Sequence, residues 1–241
     1  MAKRTDTDLQ LSMDNSQCSM SVLEAAGRSL AYSCLARGMA YPTPEWLQWL
    51  LDETCEAHTP LGRTLFQMRE AARRAGLDGL CRSYMRVFDP RREPYPLEAE
   101  HQQETPDDEG GCAGAGGTGC KGVLPIGSAN QRTAVLADVM AFYKAFGAVP
   151  YLERPDHICC ELDFLHLVSL KEAMARLAGR HEDAQTCRQA RRRFLADHLL
   201  GWYPAVIEQI RSRAERPGDE FYLELAEGLE QLMTREKGEA A

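Results

Sequence analysis

Hydrophobic residues recur along this chain at the three- and four-residue spacing of amphipathic helices. Sustained alternation of apolar and polar residues, which is typical of strands, is absent from the sequence. The pattern therefore predicts an all-α fold of about eight or more helices. The predicted helices span 21–37, 44–51, 61–75, 77–88, 134–146, 156–178, 184–200, 204–210 and 219–232.

Local signals set the predicted ends of these helices. Ser21 and Glu24 have the spacing of a capping box, so we expect a helix to begin there. Asp156 and Asp219 are expected to act as N-caps of later helices. Helix ends are expected at glycines, which close helices readily; these are Gly38, Gly76, Gly147 and Gly201.

One segment, residues 91–130, departs from the helical pattern. It begins with Glu-Pro-Tyr-Pro, becomes acidic and ends in a glycine-rich run, a composition that predicts a flexible loop. We expect disorder over about 98–128. The chain is then one domain with an N-terminal lobe at 20–90 and a C-terminal lobe at 131–236, joined by a hinge near 150–157.

Composition narrows the classes of protein. The 241 residues are 44% hydrophobic, which suits a globular chain, and the net charge of −8 argues against general nucleic-acid binding. We find neither an apolar run of membrane-spanning length nor an apolar stretch behind the first basic residues, so we expect a cytoplasmic protein without membrane insertion. The nine cysteines include no Cys-x-x-Cys pair, so reduced thiols are expected.

Candidate catalytic and metal motifs are poor matches. Lys121 lies between Cys120 and Gly122, which is not the order of a phosphate-binding loop. Cys112, Cys120 and His101 lack the paired spacing of structural zinc sites. His157, Glu161 and His166 do not form His-Glu-x-x-His, and no nucleophile elbow occurs. We therefore predict a protein without catalytic activity, metal or cofactor.

Two stretches carry a resemblance to a known family. The first is Tyr151-Leu-Glu-Arg-Pro-Asp-His-Ile-Cys-Cys-Glu-Leu-Asp-Phe-Leu-His-Leu, and the second is Phe194-Leu-Ala-Asp-His-Leu-Leu-Gly-Trp-Tyr-Pro. Together they resemble the TorD/DmsD/NarJ family of cytoplasmic chaperones that mature molybdenum-containing oxidoreductases. The first stretch is most similar to the branch serving type II dimethyl sulfoxide reductase-like enzymes, such as nitrate, selenate or chlorate reductases and dimethyl sulfide or ethylbenzene dehydrogenases.

The resemblance implies a binding site at the hinge. Glu153, Pro155, Asp156 and His157 match the family's hinge motif, and Glu161 follows one turn later. In the family this hinge borders the region implicated in binding the cargo's signal peptide. Asp156 has a competing structural explanation, because a helix N-cap is a common role of aspartate.

A second element, Tyr84-Met-Arg-Val-Phe88, resembles the family's Tyr-x-x-Leu-Phe stretch, although Val87 replaces leucine and the usual glycine is missing. Tyr84 and Phe88 are groove candidates, and a core helix face explains them equally well. The implied partner is an apo molybdoenzyme catalytic subunit with its N-terminal twin-arginine signal, bound by a monomer or dimer. A structural subunit of the oxidoreductase and a nucleotide-dependent all-α factor are the alternatives.

Overall fold

A computed structural model describes residues 6–52, 60–89, 96–101, 126–150 and 153–240, and within these ranges it is helical and contains no strand. The all-α prediction is confirmed. The helices are α1 Asp6–Gly38, α2 Pro44–Asp52, α3 Pro60–Val87, α4 Glu98–His101, α5 Ile126–Phe146, α6 Ile158–Leu177, α7 His181–Phe194, α8 Leu200–Arg213 and α9 Glu220–Ala240. In this described part, no helix is long and apolar enough to cross a membrane.

The core joins helices from both halves of the chain. Helix α1 packs along α6, and α3 packs along α9, so each main pair takes one helix from either side of the predicted hinge. Tyr32 of α1, Leu162 of α6 and Leu225 of α9 belong to one continuous buried cluster. The division into two lobes stays a prediction, and such lobes would share this core.

The first helix begins earlier than expected. Helix α1 starts at Asp6, so Ser21 lies inside the helix and the prediction that a capping box opens it there is wrong. Residues 6–20 contain neither glycine nor proline, so nothing in the backbone stops the helix upstream of Ser21. A capping box acts where a helix begins, and its residues carry no such signal in a helix interior.

Three of the four glycines predicted to end helical segments do so: α1 ends at Gly38, and the other two take positive φ angles. Gly76 takes φ 62° and ψ 175° and kinks α3, which separates the two helical segments predicted on either side of it. Gly147 follows α5 with φ 69°. Both lie in the left-handed region, where a side chain would be strained.

The fourth predicted helix end, at Gly201, is wrong. Helix α7 continues through a π-helical turn at Leu195–Leu199 directly into α8, which contains both Gly201 and Pro204. The amide of Leu200 donates to the carbonyl of Leu195, five residues back. This wide turn changes the register of the backbone hydrogen bonds just before Pro204. Proline has no N–H to donate, so it follows a place where the regular helical hydrogen bonds are already interrupted.

The predicted loop contains ordered structure at both ends. Residues 96–99 are buried, α4 covers 98–101, and α5 begins at Ile126, so disorder is the wrong prediction for those parts of 98–128. An antiparallel bridge explains the first: the Glu98 amide donates to Asp156 O at 2.9 Å and the Ile158 amide to Pro96 O at 3.1 Å. Residues 102–125 lie outside the described residues.

Candidate functional site

The connection from α5 to α6 carries most of the residues predicted from the family motif. Asp156 is fully buried, and its carboxylate accepts two hydrogen bonds from Arg154, at 3.0 Å and 2.9 Å. The predicted N-cap role of Asp156 is wrong, because α6 begins at Ile158 and its cap is His157. The Asp156 carboxylate binds Arg154 instead of accepting hydrogen bonds from the backbone amides of α6.

His157 caps α6 through its ring. The Nδ1 atom accepts the Cys159 amide at 3.2 Å and lies 2.9 Å from Cys159 Sγ. The ring is buried, and this burial lowers the pKa of His157 to about 4, with the Arg154 charge acting in the same direction. A neutral imidazole is required for this role, since a protonated ring has no acceptor to offer the helix.

Pro155 is fixed by a hydrogen bond from outside the hinge. The hydroxyl of Tyr143 on α5 donates to the Pro155 carbonyl at 2.8 Å. Burial raises the pKa of Tyr143 far above its ordinary value, so this phenol stays a donor. The end of α5 and the start of α6 are thereby held at a fixed separation.

Glu161 is also buried and cannot touch a partner from its position. Burial is the main cause that raises its pKa well above the ordinary value, followed by the nearby charge of Glu98, while the Trp202 indole acts in the opposite direction. Two neighbouring buried carboxyl groups cannot both ionise cheaply, which favours the protonated acid at Glu161.

Glu98 and His198 complete this buried polar cluster, and sequence analysis did not select either. His198 Nδ1 lies 3.1 Å from both carboxylate oxygens of Glu98, and its Nε2 lies 3.4 Å from an Asp138 oxygen. His198 belongs to the π-helical turn, and wide turns of this kind often mark functional sites. The second family stretch contains His198, whereas nothing in the sequence around Glu98 indicated burial.

Tyr84 and Phe88 lie in a different cluster. Their rings pack together with centroids 5.0 Å apart, and Tyr84 also contacts Tyr41 at 5.2 Å. Phe88 is buried and meets the ring of Tyr222 on α9 at 5.8 Å. These contacts support the core-face explanation, with Tyr84 half-buried at the edge of the cluster.

An open groove of about 640 Å³ lies beside the hinge, between α1, α6 and the turn after α5. Its apolar wall includes Phe164, Leu167 and Val149, and Val149 is 86% exposed. A second cleft of about 510 Å³, lined by Met140 and Ala141 of α5, adjoins it across Ala148 and Val149. A concave, largely apolar surface of this volume is the usual setting of a binding site.

Two carboxylates act on Cys159, which lines this groove. Asp163 lines the groove, and Glu153 is close enough to the Cys159 thiol for both acids to raise its pKa, after the larger effects of Cys160 and burial. Both acids are exposed, and neither forms an ion pair with another described residue. Glu153 is therefore the one acidic residue of the predicted binding site that is exposed among the described residues. Asp163 was not predicted as a site residue, although it lies within the motif at 151–167.

Cysteines in the described ranges are free thiols. Cys34, Cys81, Cys159, Cys160 and Cys187 form no disulfide and lie within helices, as predicted. Within the same ranges no group of three or more His, Cys, Asp or Glu side chains could hold a metal ion. Cys112 and Cys120, considered above as weak zinc ligands, lie outside the described residues, and the position of the His101 side chain is not described.

Known proteins share this chain's sequence over part of its length. It is 35% identical over 105 residues to the selenate reductase assembly chaperone protein of Thauera selenatis, covering 42% of this chain and 51% of that protein. It is 37% identical over 84 residues to the chlorate reductase assembly chaperone protein of Ideonella dechloratans, covering 34% and 42%. The perchlorate reductase assembly chaperone protein of Dechloromonas aromatica strain RCB matches at 27% over 101 residues, covering 41% and 44%.

The matched part spans about half the length of these relatives or somewhat less. A family model described as nitrate reductase delta subunit matches residues 53–208, well over half of the chain, and includes the hinge, α6 and the π-helical turn. The resemblance found in the hinge motif is confirmed, and the chain belongs to the nitrate reductase delta subunit family of TorD/NarJ-type proteins.

Proposed function

We propose that this protein is an assembly chaperone for a molybdenum-containing oxidoreductase of the dimethyl sulfoxide reductase type. Its family membership and three relatives named as reductase assembly chaperones support this function. In the proposed role the protein binds the apo catalytic subunit in the cytoplasm until the cofactor is inserted. The work is binding and release, so no covalent chemistry is assigned to the chain.

We further propose that the groove beside the hinge takes the N-terminal signal of that subunit. The observation that carries this proposal is an open, largely apolar groove lined by the exposed carboxylate of Asp163, with a second exposed carboxylate, Glu153, acting on the lining residue Cys159. A twin-arginine signal has a basic segment followed by an apolar one. Carboxylates pair strongly with arginine, and an apolar segment would cover Val149 and Phe164.

Binding to a cargo peptide tests the proposal. Isothermal calorimetry would use N-terminal peptides from each molybdoenzyme catalytic subunit in the source genome, with the two signal arginines replaced by glutamine as control. We expect one peptide to bind, and its glutamine version to bind at least about tenfold more weakly. Failure of all these peptides and of the apo-subunits to bind would contradict the proposed function.

The position of the site is tested separately. The double variant Glu153→Gln, Asp163→Asn removes both carboxylates, and we expect the affinity for the peptide to fall about ten- to a hundredfold. The matched control, Glu208→Gln with Glu215→Gln, changes the net charge equally at exposed acids elsewhere. Equal losses in both double variants would show a general charge effect and would remove the groove from the proposal.

A structural subunit of the oxidoreductase is the second candidate. Co-purification separates the two: a chaperone is found with the apo-subunit and is missing from the active enzyme, whereas a subunit stays with it. Relatives named as assembly chaperones favour the first. A nucleotide-dependent role would instead appear as a nucleotide requirement in the peptide-binding experiment.

A further inference from the structure

A second, polar cleft of about 390 Å³ lies where α1, α6 and α7 meet. Its lining is dominated by guanidinium groups from all three helices. The lining residues are Ser21, Glu24, Arg28, Glu172, Arg176, Arg188 and Arg192. Four arginines and two glutamates face each other there, in a chain whose overall net charge is −8.

The carboxylate of Glu172 is already engaged. Its Oε1 atom accepts hydrogen bonds from Arg176 Nε at 3.0 Å and from the Arg176 terminal nitrogen at 2.7 Å. Glu172 is buried, so this pair forms a fixed wall of the cleft. The acid that stays open to the cleft is Glu24, which is exposed and forms no ion pair with another described residue.

The lining arginines differ in their partners. Arg28 is buried, with a guanidinium nitrogen 3.8 Å from Glu236, and the same carboxylate accepts a hydrogen bond from buried Arg191. Two guanidinium groups thus share Glu236. The guanidinium of Arg188, in contrast, is exposed and forms no hydrogen bond or ion pair with another described residue.

We propose that this arginine cleft binds the phosphoryl group of a small anionic ligand. Guanidinium groups match the geometry of phosphate oxygens, and several of them converging from fixed helices favour a multiply charged anion. The volume is at the lower end of small-molecule sites, so the cleft suits a compact phosphate ester or diphosphate and is too small for a folded domain.

This site goes beyond the proposed chaperone function and is separate from the groove. Cys160 in the groove and Arg176 in the cleft lie sixteen residues apart on α6, which corresponds to about 24 Å along the helix. Loss of either binding activity therefore leaves the other measurable.

Titration of the full chain with pyrophosphate tests the site, with inorganic phosphate as a second probe. Isothermal calorimetry and the melting temperature are measured at constant ionic strength set with sodium chloride, because exposed arginines respond to salt. We expect pyrophosphate to bind more tightly than phosphate. Arg188→Gln should weaken pyrophosphate binding about tenfold, whereas Glu24→Gln should strengthen it several-fold.

The matched control is Arg180→Gln, at the start of α7, where an exposed arginine pairs with Asp183 outside the cleft. It removes the same charge and should leave pyrophosphate affinity unchanged. Two results would overturn the proposal: no binding of pyrophosphate at millimolar concentration, or equal losses in Arg180→Gln and Arg188→Gln. A peptide-binding defect in Arg188→Gln with intact pyrophosphate binding would also overturn it, since the cleft would then serve the cargo.

Discussion

The short stretch of residues 153–163 contains side chains of two opposite kinds, buried ones that hold the hinge and α6 in place and exposed ones at or near the groove. Asp156 and His157 of the hinge and Glu161 of α6 are buried: Asp156 accepts hydrogen bonds from Arg154, and His157 caps α6. Asp163, which lines the groove, and Glu153 of the hinge are exposed and form no ion pair with another described residue. A family motif can therefore mix residues that fix the shape of a site with residues that contact the partner.

The largest effect is expected from the buried side of this comparison. His198→Ala removes the imidazole beside the buried carboxylate of Glu98 and the ring contact with Phe194. We expect the free energy of unfolding to fall by about 3–5 kcal/mol, as when one partner of a buried pair is lost. Urea unfolding measures it, with exposed His181→Ala as control. A loss below about 1 kcal/mol would show that Glu98 does not depend on His198.

The next effect is a dependence on pH. Because the folded-state pKa of His157 is about 4, below the ordinary 6.5, the unfolded chain takes up its proton first as the pH falls. Its contribution to stability is complete above about pH 6.5 and is lost towards pH 4, by up to about 3 kcal/mol. His157→Asn keeps a capping acceptor without a titrating group, so its unfolding free energy should change less over this window. Equal slopes for both proteins would contradict the assignment.

A smaller effect is expected at Asp156. Asp156→Asn keeps the shape of the side chain but removes the negative charge that accepts two hydrogen bonds from Arg154. The half-exposed Arg154 side chain can then be solvated by water. We expect stability to fall by about 1–2 kcal/mol. Peptide affinity should stay unchanged at temperatures where the variant is folded, because the buried carboxylate cannot reach a cargo. A selective loss of affinity with unchanged stability would assign Asp156 to the binding surface.

The smallest effect on stability is expected on the open side. Val149→Asp places a charge at an exposed position between the groove and its neighbouring cleft. The unfolding free energy should change by less than about 0.5 kcal/mol, while binding of an apolar peptide should be strongly weakened. Exposed Leu177→Asp, on α6 but outside the groove, is the control. Unimpaired binding by Val149→Asp would argue that the peptide lies elsewhere.

Local signals predicted local structure well. Gly76 and Gly147 end helical segments because a positive φ is a property of one residue, readable without its neighbours in space. Ser21 and Gly201 misled for the complementary reason. Each is a residue type that often lies at a helix end, but the residues around it continue the helix. Near Gly201, the helix continues through a π-helical turn.

Long-range pairing limited what the sequence could predict about the site. Glu98 lies in a stretch whose composition suggests a loop, yet it is buried because it meets residues 58 and 100 positions away, at Asp156 and His198. Asp156 lost its expected capping role to His157 because Arg154 took its carboxylate. The motif identified the correct stretch of chain, whereas burial decided which of its side chains can meet a partner.

The packing of α4 against α5 has a practical consequence for engineering this chain. The chain leaves one of these helices at residue 101 and enters the other at residue 126, so the two ends of the intervening segment lie on neighbouring elements. The entropic cost of closing a flexible loop between two such ends rises slowly with its length, by about 0.6 kcal/mol for each doubling of the number of residues. A reporter domain or a pair of new chain termini placed there should leave both the buried hinge and the groove intact, which offers a permuted protein for following cargo release.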